Sequence, residues 1–426
     1  MKTRGWIIAV ILVAALQVAL WWPLLGGRSV LLTTDDNIGQ LSQCARCLPG
    51  ALLGWWDDSG LLGNGIGRVP VNWTSALLLA LPLPGFVNWI HAVTLLLAAA
   101  CFFLWMRNRG CSTAAATLGA LTAFWLSSNL AITYGGHVPK YAVLLFATLA
   151  LLGIERMAVT RRWAWAWLTG GAMGLALVEQ QDVGIFFGLF VGAYAVFTLW
   201  RMEGLAWWTR VLTYLLPMGL MAVWLASASL LQAYTHNIQN VAVVNQESPQ
   251  AKWDFITQWS LPPEETVALL APGYVGWRSG EPEGPYCGRM GRSAGWGQTG
   301  QGFMNFKLDD WYLVVVPVLF ALLICGTVWR RMRSAQGASV VTAEGPDLRA
   351  DVIFWGLATL TALLLAMGKY SPLYQLFYQL PVVNNIRAPV KFMQVFQIAL
   401  AVLAVYGLDY VINRQVSSGQ NQRGGL

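Results

Sequence analysis

The stretch GFVNWIHAVTLLLAAACFFLWMRNRG, residues 85–110, decides the fold. Residues 85–106 contain no Asp, Glu, Lys or Arg, and Arg107 and Arg109 follow at once. A run of about 20 apolar residues is long enough to cross the hydrocarbon core of a bilayer as a helix. Comparable runs occupy 6–25, 112–133, 141–157, 163–179, 184–200, 211–232, 311–329, 352–368 and 391–412. The expectation is an all-α polytopic membrane protein with about ten transmembrane helices, a single membrane domain over residues 1–426. Trp6–Leu25 is too long for the core of a signal peptide, and no small-x-small site follows it, so it reads as an uncleaved first helix.

The charges segregate between these runs. With Lys2 and Arg4 on the cytoplasmic side, the short cytoplasmic connections carry Arg107 and Arg109, Arg156, Arg161 and Arg162, Arg201 and Arg210, Arg330, Arg331 and Arg333, and Arg414. This is the positive-inside pattern, and it places both termini in the cytoplasm. The other side receives 14 of the 20 acidic residues, from Asp35 to Asp310. A chain that gathers its carboxylates on one face of a membrane does its chemistry or its binding there.

Composition supports the same class. Apolar residues make up 56% of the chain and charged ones 11%, which excludes a soluble domain on a single anchor. The net charge of +7 is accounted for by arginines that orient helices and meet anionic headgroups, so no nucleic-acid partner is implied; the partner is membrane lipid. Many of the 23 tryptophans fall near span ends, as an interfacial belt requires. Cys44 and Cys47 form either an external disulfide or two small residues on an interfacial helix.

Two external loops are long. The first, residues 26–84, carries Ile38, Leu41, Ala45 and Leu48 at helical spacing, an amphipathic interfacial helix that Pro49 ends. Its piece 73–81 is apolar but too short to span. The second, residues 233–310, is Gly-rich after 273 and shows no clear core; in WSLPPEETVALLAPGYVGW, 259–277, Pro263 suits the first turn of one short helix. A smaller external loop covers 369–390.

The residues that offer chemistry sit on that external side. Asp35 and Asp36, in LLTTDDNIGQ, stand about ten residues beyond the first span. Adjacent carboxylates there bind a divalent cation or take a proton from a hydroxyl; alternatively Thr34 or Asp35 caps the helix that starts near Ile38. YGGHVPKY, 134–141, pins His137 and Lys140 at the outer face, where Lys140 either binds phosphate or snorkels. VEQQDVG, 178–184, is a tight corner carrying Glu179 and Asp182. Arg387 and Lys391 bracket Pro389 just before the last span. Two cations in a short external loop run against the positive-inside rule; they either hold a lipid phosphate or pair with Glu264, Glu265 or Asp182. His91, His137 and His236 show no metal-ligand spacing, and no GxSxG, HExxH, Walker A or dinucleotide fingerprint is present.

In this order, TTDDNIGQ (33–40), GWWDDSGLLGNGIGRVP (54–70), GGHVPKY (135–141), WSLPPEETVALLAPGYVG (259–276) and YSPLYQLFYQLPVVNNIRAPVKF (370–392) resemble the bacterial YfhO-like membrane proteins of the GT-C glycosyltransferase superfamily. The resemblance covers nearly the whole chain. It implies a GT-C-like fold in the bacterial inner membrane and transfer of a sugar from a polyprenyl-phosphate carrier to an extracytoplasmic acceptor. Asp35 or Asp36 would match the catalytic position, with His137, Lys140, Glu179, Asp182, Arg387 and Lys391 lining the substrate. A divalent cation, Mg²⁺ or Mn²⁺, would stabilise the leaving phosphate. The chain departs from the pattern in lacking a DxD-type second loop, where Glu179 or Asp182 would stand in, or no metal is needed. The rival functions are a non-catalytic flippase or transporter of a lipid-linked intermediate and a membrane assembly component.

Overall fold

The computed structural model describes residues 2–25, 29–30, 44–57, 64–66, 71–135, 137–238, 248–276, 285–291, 311–333, 348–380 and 383–423. Apart from a small hairpin, Trp55–Asp57 against Asn64–Ile66, these residues form helices and turns. In lipid every backbone N–H and C=O must bond within the protein, and a helix does this within one segment.

The helices are α1 (Lys2–Leu25), α2 (Trp73–Ala80), α3 (Leu83–Asn108), α4 (Thr113–Phe124), α5 (Ser127–Gly135), α6 (Val138–Thr160), α7 (Ala164–Glu179) and α8 (Gln181–Arg201). There follow α9 (Trp207–Thr235), α10 (Pro249–Thr257), α11 (Val315–Arg333), α12 (Arg349–Ala366), α13 (Pro372–Tyr378) and α14 (Phe392–Arg423). Eight of them, α1, α3, α6, α8, α9, α11, α12 and the start of α14, are long and apolar enough to cross a membrane. The protein is therefore a multi-pass membrane protein. The two remaining expected spans differ from the rest. Residues 112–133 form two helices, α4 and α5, interrupted at Trp125 and Leu126, and 163–179 is the 16-residue α7.

The chain divides into two compact units, residues 14–98 with 131–248, and residues 1–13 with 99–130 and 249–426. In the first, α6 is the most enclosed helix, packed by α7 and α8, and α7 packs on α9. Gly170 and Gly174, four apart on one face of α7, allow the close approach. A Cβ at Gly170 would stand 2.3 Å from the Met218 carbonyl oxygen, and one at Gly174 would stand 3.1 Å from that of Ala222. Small residues at this spacing let backbones meet where lipid gives no hydrophobic drive. Ala45 and Leu48, apolar positions of the expected interfacial helix, pack against Leu78, Phe86, Val87, Ile90 and Val138. Cys44 packs there too, and Cys44 and Cys47 are free thiols. The arginine-rich end of this unit is tied by main-chain acceptors: Tyr214 donates to the Arg161 carbonyl at 3.0 Å, and Arg210 to that of Leu199 at 2.8 Å.

In the second unit α14 is central, with α11, α12 and α4 against it. One end holds the arginines. Arg109 meets the carboxylate of buried Asp351 at 2.5 Å, and the Ser112 amide donates to buried Asp409 at 2.7 Å. Arg331 and Arg414 both lie over the Tyr410 ring, at 5.9 and 5.6 Å. The opposite end, beyond the C-terminus of α12 and the N-terminus of α14, carries a folded layer built from 249–276, 285–291, 367–380 and 383–391. Residues 233–310 read as lacking a core, yet Ile256, Trp259, Leu261, Leu269, Tyr286 and Met290 are buried. The main-chain partners of Ile256, Trp259 and Leu261, which are Ala388, Val390 and Ala366, lie more than 100 residues away in sequence, beyond the reach of local pattern.

Removing one member of a buried ion pair strands the other charge, at a cost of about 3–5 kcal/mol. Asp351→Ala is expected to lower the thermal unfolding midpoint of the detergent-solubilised protein sharply. The double change Arg109→Met with Asp351→Leu is expected to recover most of the loss.

Candidate functional site

The layer on the second unit is knitted by the main chain. The Leu261 amide donates to the Ala366 carbonyl at 2.9 Å, Ala388 to Ile256 at 3.1 Å, Val390 to Trp259 at 3.1 Å, and Gly291 to Gln258 at 3.2 Å. The two stretches 259–276 and 370–392 thus dock onto one another. Ser260 reinforces the joint, its hydroxyl donating to the Thr257 carbonyl at 2.6 Å and accepting the Lys369 amide at 3.0 Å. Gly368, at φ +49°, runs so close that a Cβ would stand 2.0 Å from that hydroxyl.

Residues 263–269 form a 3₁₀ helix with Pro263 in its first turn, as expected, and two carboxylates leave it in different roles. Glu265 is buried and accepts from the Tyr286 hydroxyl at 2.8 Å, the Arg289 amide at 2.6 Å and the Met290 amide at 3.1 Å. Exposed Glu264 takes the guanidinium of Arg289 through both oxygens. Hydrogen bonding to that guanidinium holds the Glu264 carboxyl below the usual carboxylate range. What the pair contributes is thus present above that range and lost as pH falls through it; solvent screening keeps it small.

Around this frame stand five cations, Lys252, Arg289, Lys369, Arg387 and Lys391, against three carboxylates, Asp254, Glu264 and Glu265, among the described residues. Arg387 donates to the Gln258 side-chain oxygen at 2.9 Å and lies 4.4 Å over the Phe255 ring. Burial draws its guanidinium below its ordinary value. Arg289 lies 4.5 Å over Tyr370, and the Lys369 ammonium stands 5.4 Å from the same ring. Lys252 donates to Asn385 at 2.7 Å. Stacking on aromatic faces orients guanidinium planes, the geometry that suits bidentate contact with phosphate. Glu264 and Glu265 are taken by Arg289, the Tyr286 hydroxyl and two amides. Ala388, next to Arg387, has φ +67°, a left-handed conformation costly for alanine and held by its bond to Ile256.

The other sequence-derived residues fall elsewhere. Asp35 and Asp36 lie outside the described residues. His137, Lys140, Glu179 and Asp182 belong to the other unit. His137 precedes α6, and Lys140 is buried in its first turn. The Glu179 carboxylate, buried at the end of α7, accepts the Thr74 amide at 3.0 Å and the Thr74 hydroxyl at 2.7 Å, which clamps the first turn of α2. Asp182 accepts the neighbouring Val183 amide at 2.7 Å in the first turn of α8. Among the described residues no three His, Cys, Asp or Glu side chains converge to hold a metal ion. Lys252, Gln258, Arg289 and Lys369 were missed as candidates. The positive-inside argument applied to Arg387 and Lys391 extends to Lys369 in the same short loop, whereas Lys252 and Arg289 lie in the long loop 233–310, to which the rule does not apply.

Comparison with models of protein families, with curated proteins and with solved structures gave no match.

Replacing Glu265 by Ala removes the acceptor of the buried Tyr286 hydroxyl and of the Arg289 amide, at about 1–3 kcal/mol for a stranded donor, while the Met290 amide keeps its bond to the Tyr286 hydroxyl at 2.9 Å. Hydrogen exchange in residues 285–291 is expected to speed up at least tenfold. Glu264→Ala, at an exposed pair, is expected to change stability by less than about 1 kcal/mol.

Proposed function

We propose that this protein is a GT-C-like glycosyltransferase of the bacterial inner membrane, with ten crossings and both termini cytoplasmic. It moves a sugar from a polyprenyl-phosphate carrier to an extracytoplasmic acceptor. The observation that carries this reading is the cationic, aromatic-backed layer at the end of the second unit opposite its arginines. By the positive-inside rule the end with Arg109, Arg331 and Arg414 faces the cytoplasm, and the layer then faces out. Arg387 and Lys391 at the start of α14 are well placed for a lipid phosphate at the bilayer surface.

In this mechanism Asp35 or Asp36 takes the proton of an acceptor hydroxyl. The freed oxygen attacks the anomeric carbon, the bond from that carbon to the phosphate oxygen breaks, and the phosphate leaves with the electron pair. Arg387 and Lys391 neutralise it. A divalent cation, when bound, would add Lewis-acid stabilisation of the same phosphate. Glu179 is read here as a clamp on α2. One observation favours a second reading, a flippase or transporter: the interruption between α4 and α5 resembles the discontinuous helices on which transporters build their sites.

Native mass spectrometry of the purified protein with polyprenyl phosphate tests the lipid-phosphate site. Wild type is expected to bind it in preference to a zwitterionic phospholipid, and Arg387→Ala/Lys391→Ala is expected to weaken that binding at least tenfold. Equal binding by both proteins would overturn the reading.

A further inference from the structure

The interruption between α4 and α5 lies about 18 Å along the helix from Ser112, well inside a bilayer core of roughly 30 Å. No glycine or proline sits at Trp125 and Leu126, but Ser127, Ser128 and Asn129 follow, residues that favour turns and helix starts over helix interiors. Irregular backbone at this depth persists only where protein or a water-filled cavity satisfies it. Buried Asn129 does so: its side-chain amide donates to the Ala123 and Phe124 carbonyls, both at 3.2 Å. The Trp125 amide keeps its helical bond to Leu121 at 2.9 Å.

More polar groups gather there than the break needs. Gln397, buried on α14, donates to the Ser128 hydroxyl. Gln394, one turn earlier on the same helix, is 3% exposed. Its side-chain oxygen, the Ser127 hydroxyl and the Trp125 indole nitrogen are buried without a hydrogen-bond partner among the described residues. Buried polar atoms left this way call for an explanation, and three along one interruption and the facing helix call for a common one. The set is uncharged and mixes donors with acceptors beside an indole. Carbohydrate hydroxyls, each both donor and acceptor, match it. Lys391 ends the 3₁₀ turn 389–391, and Gln394 and Gln397 follow at a spacing of three in the first turns of α14.

We propose that the interruption between α4 and α5, with Gln394 and Gln397, is a binding site for a neutral, hydroxyl-rich group. Resting on the function proposed above, that group is the sugar of the lipid-linked substrate, its phosphate toward Lys391 and its ring toward Gln394.

Two probes separate the sugar site from the phosphate site. In a polyoxyethylene detergent, binding is measured for octyl glucoside, a sugar without phosphate, and for polyprenyl phosphate, a phosphate without sugar. Wild type is expected to bind the glucoside in preference to an octyl ether of similar size. Gln394→Leu is expected to weaken glucoside binding at least tenfold and leave polyprenyl phosphate binding within twofold. Arg387→Ala is expected to do the reverse. If Gln394→Leu fails to fold, Gln394→Glu, of nearly the same shape, serves in its place, with the same expected loss. No preference for the glucoside in wild type, or equal glucoside affinity in wild type and variant, overturns the sugar site whatever the phosphate lipid does. Failure of polyprenyl phosphate alone removes only the lipid-phosphate reading.

Discussion

The main-chain hydrogen bonds between residues 256–261 and residues 366–390 are the constraint on which the candidate site depends. Helices in lipid consume their own backbone groups, so segments outside them must find partners in each other. Here Ile256, Trp259 and Leu261 bond across to Ala388, Val390 and Ala366. Arg387 stands next to one of these bonds, and its neighbour Ala388 is held in a left-handed conformation by it. A cation on a free loop would sample many positions. This one is fixed by main chain on one side and by Phe255 and Gln258 on the other, the preorganisation an anion site needs.

The opposite end of the same unit supplies the orientation. Buried Asp351 and Asp409 lock the end of α3 and the start of α4 to α12 and α14, among arginines that belong on the cytoplasmic side of a membrane. In the proposed reading those arginines lie on the cytoplasmic side and the cationic layer on the other. The enzymatic reading then gains its remaining support from the resemblance that assigns Asp35 or Asp36 as the base.

Much of this architecture is legible in the residues. Apolar runs bounded by arginines mark the helices, Pro263 marks the 3₁₀ helix, and Ala45 and Leu48 mark an apolar face that the structure buries. The break after Phe124 is not read from FWLSSN, although Ser127, Ser128 and Asn129 favour turns and helix starts; it rests on the Asn129 side chain reaching the carbonyls behind it. The partners of Glu265 and Arg387 are also out of reach, since Met290 and Gln258 are identified only once distant segments dock. Glu179 reads as costly at a membrane corner unless it faces water or a site, and it is Thr74, more than 100 residues earlier, that satisfies it.

The most direct measurement is photo-crosslinking with a polyprenyl phosphate that carries a photoreactive group beside the phosphate, followed by peptide mapping. The account predicts label in peptides spanning 252–258 or 369–391, competed away by unlabelled polyprenyl phosphate. Label confined to other helices, or label that the unmodified lipid does not displace, would contradict it.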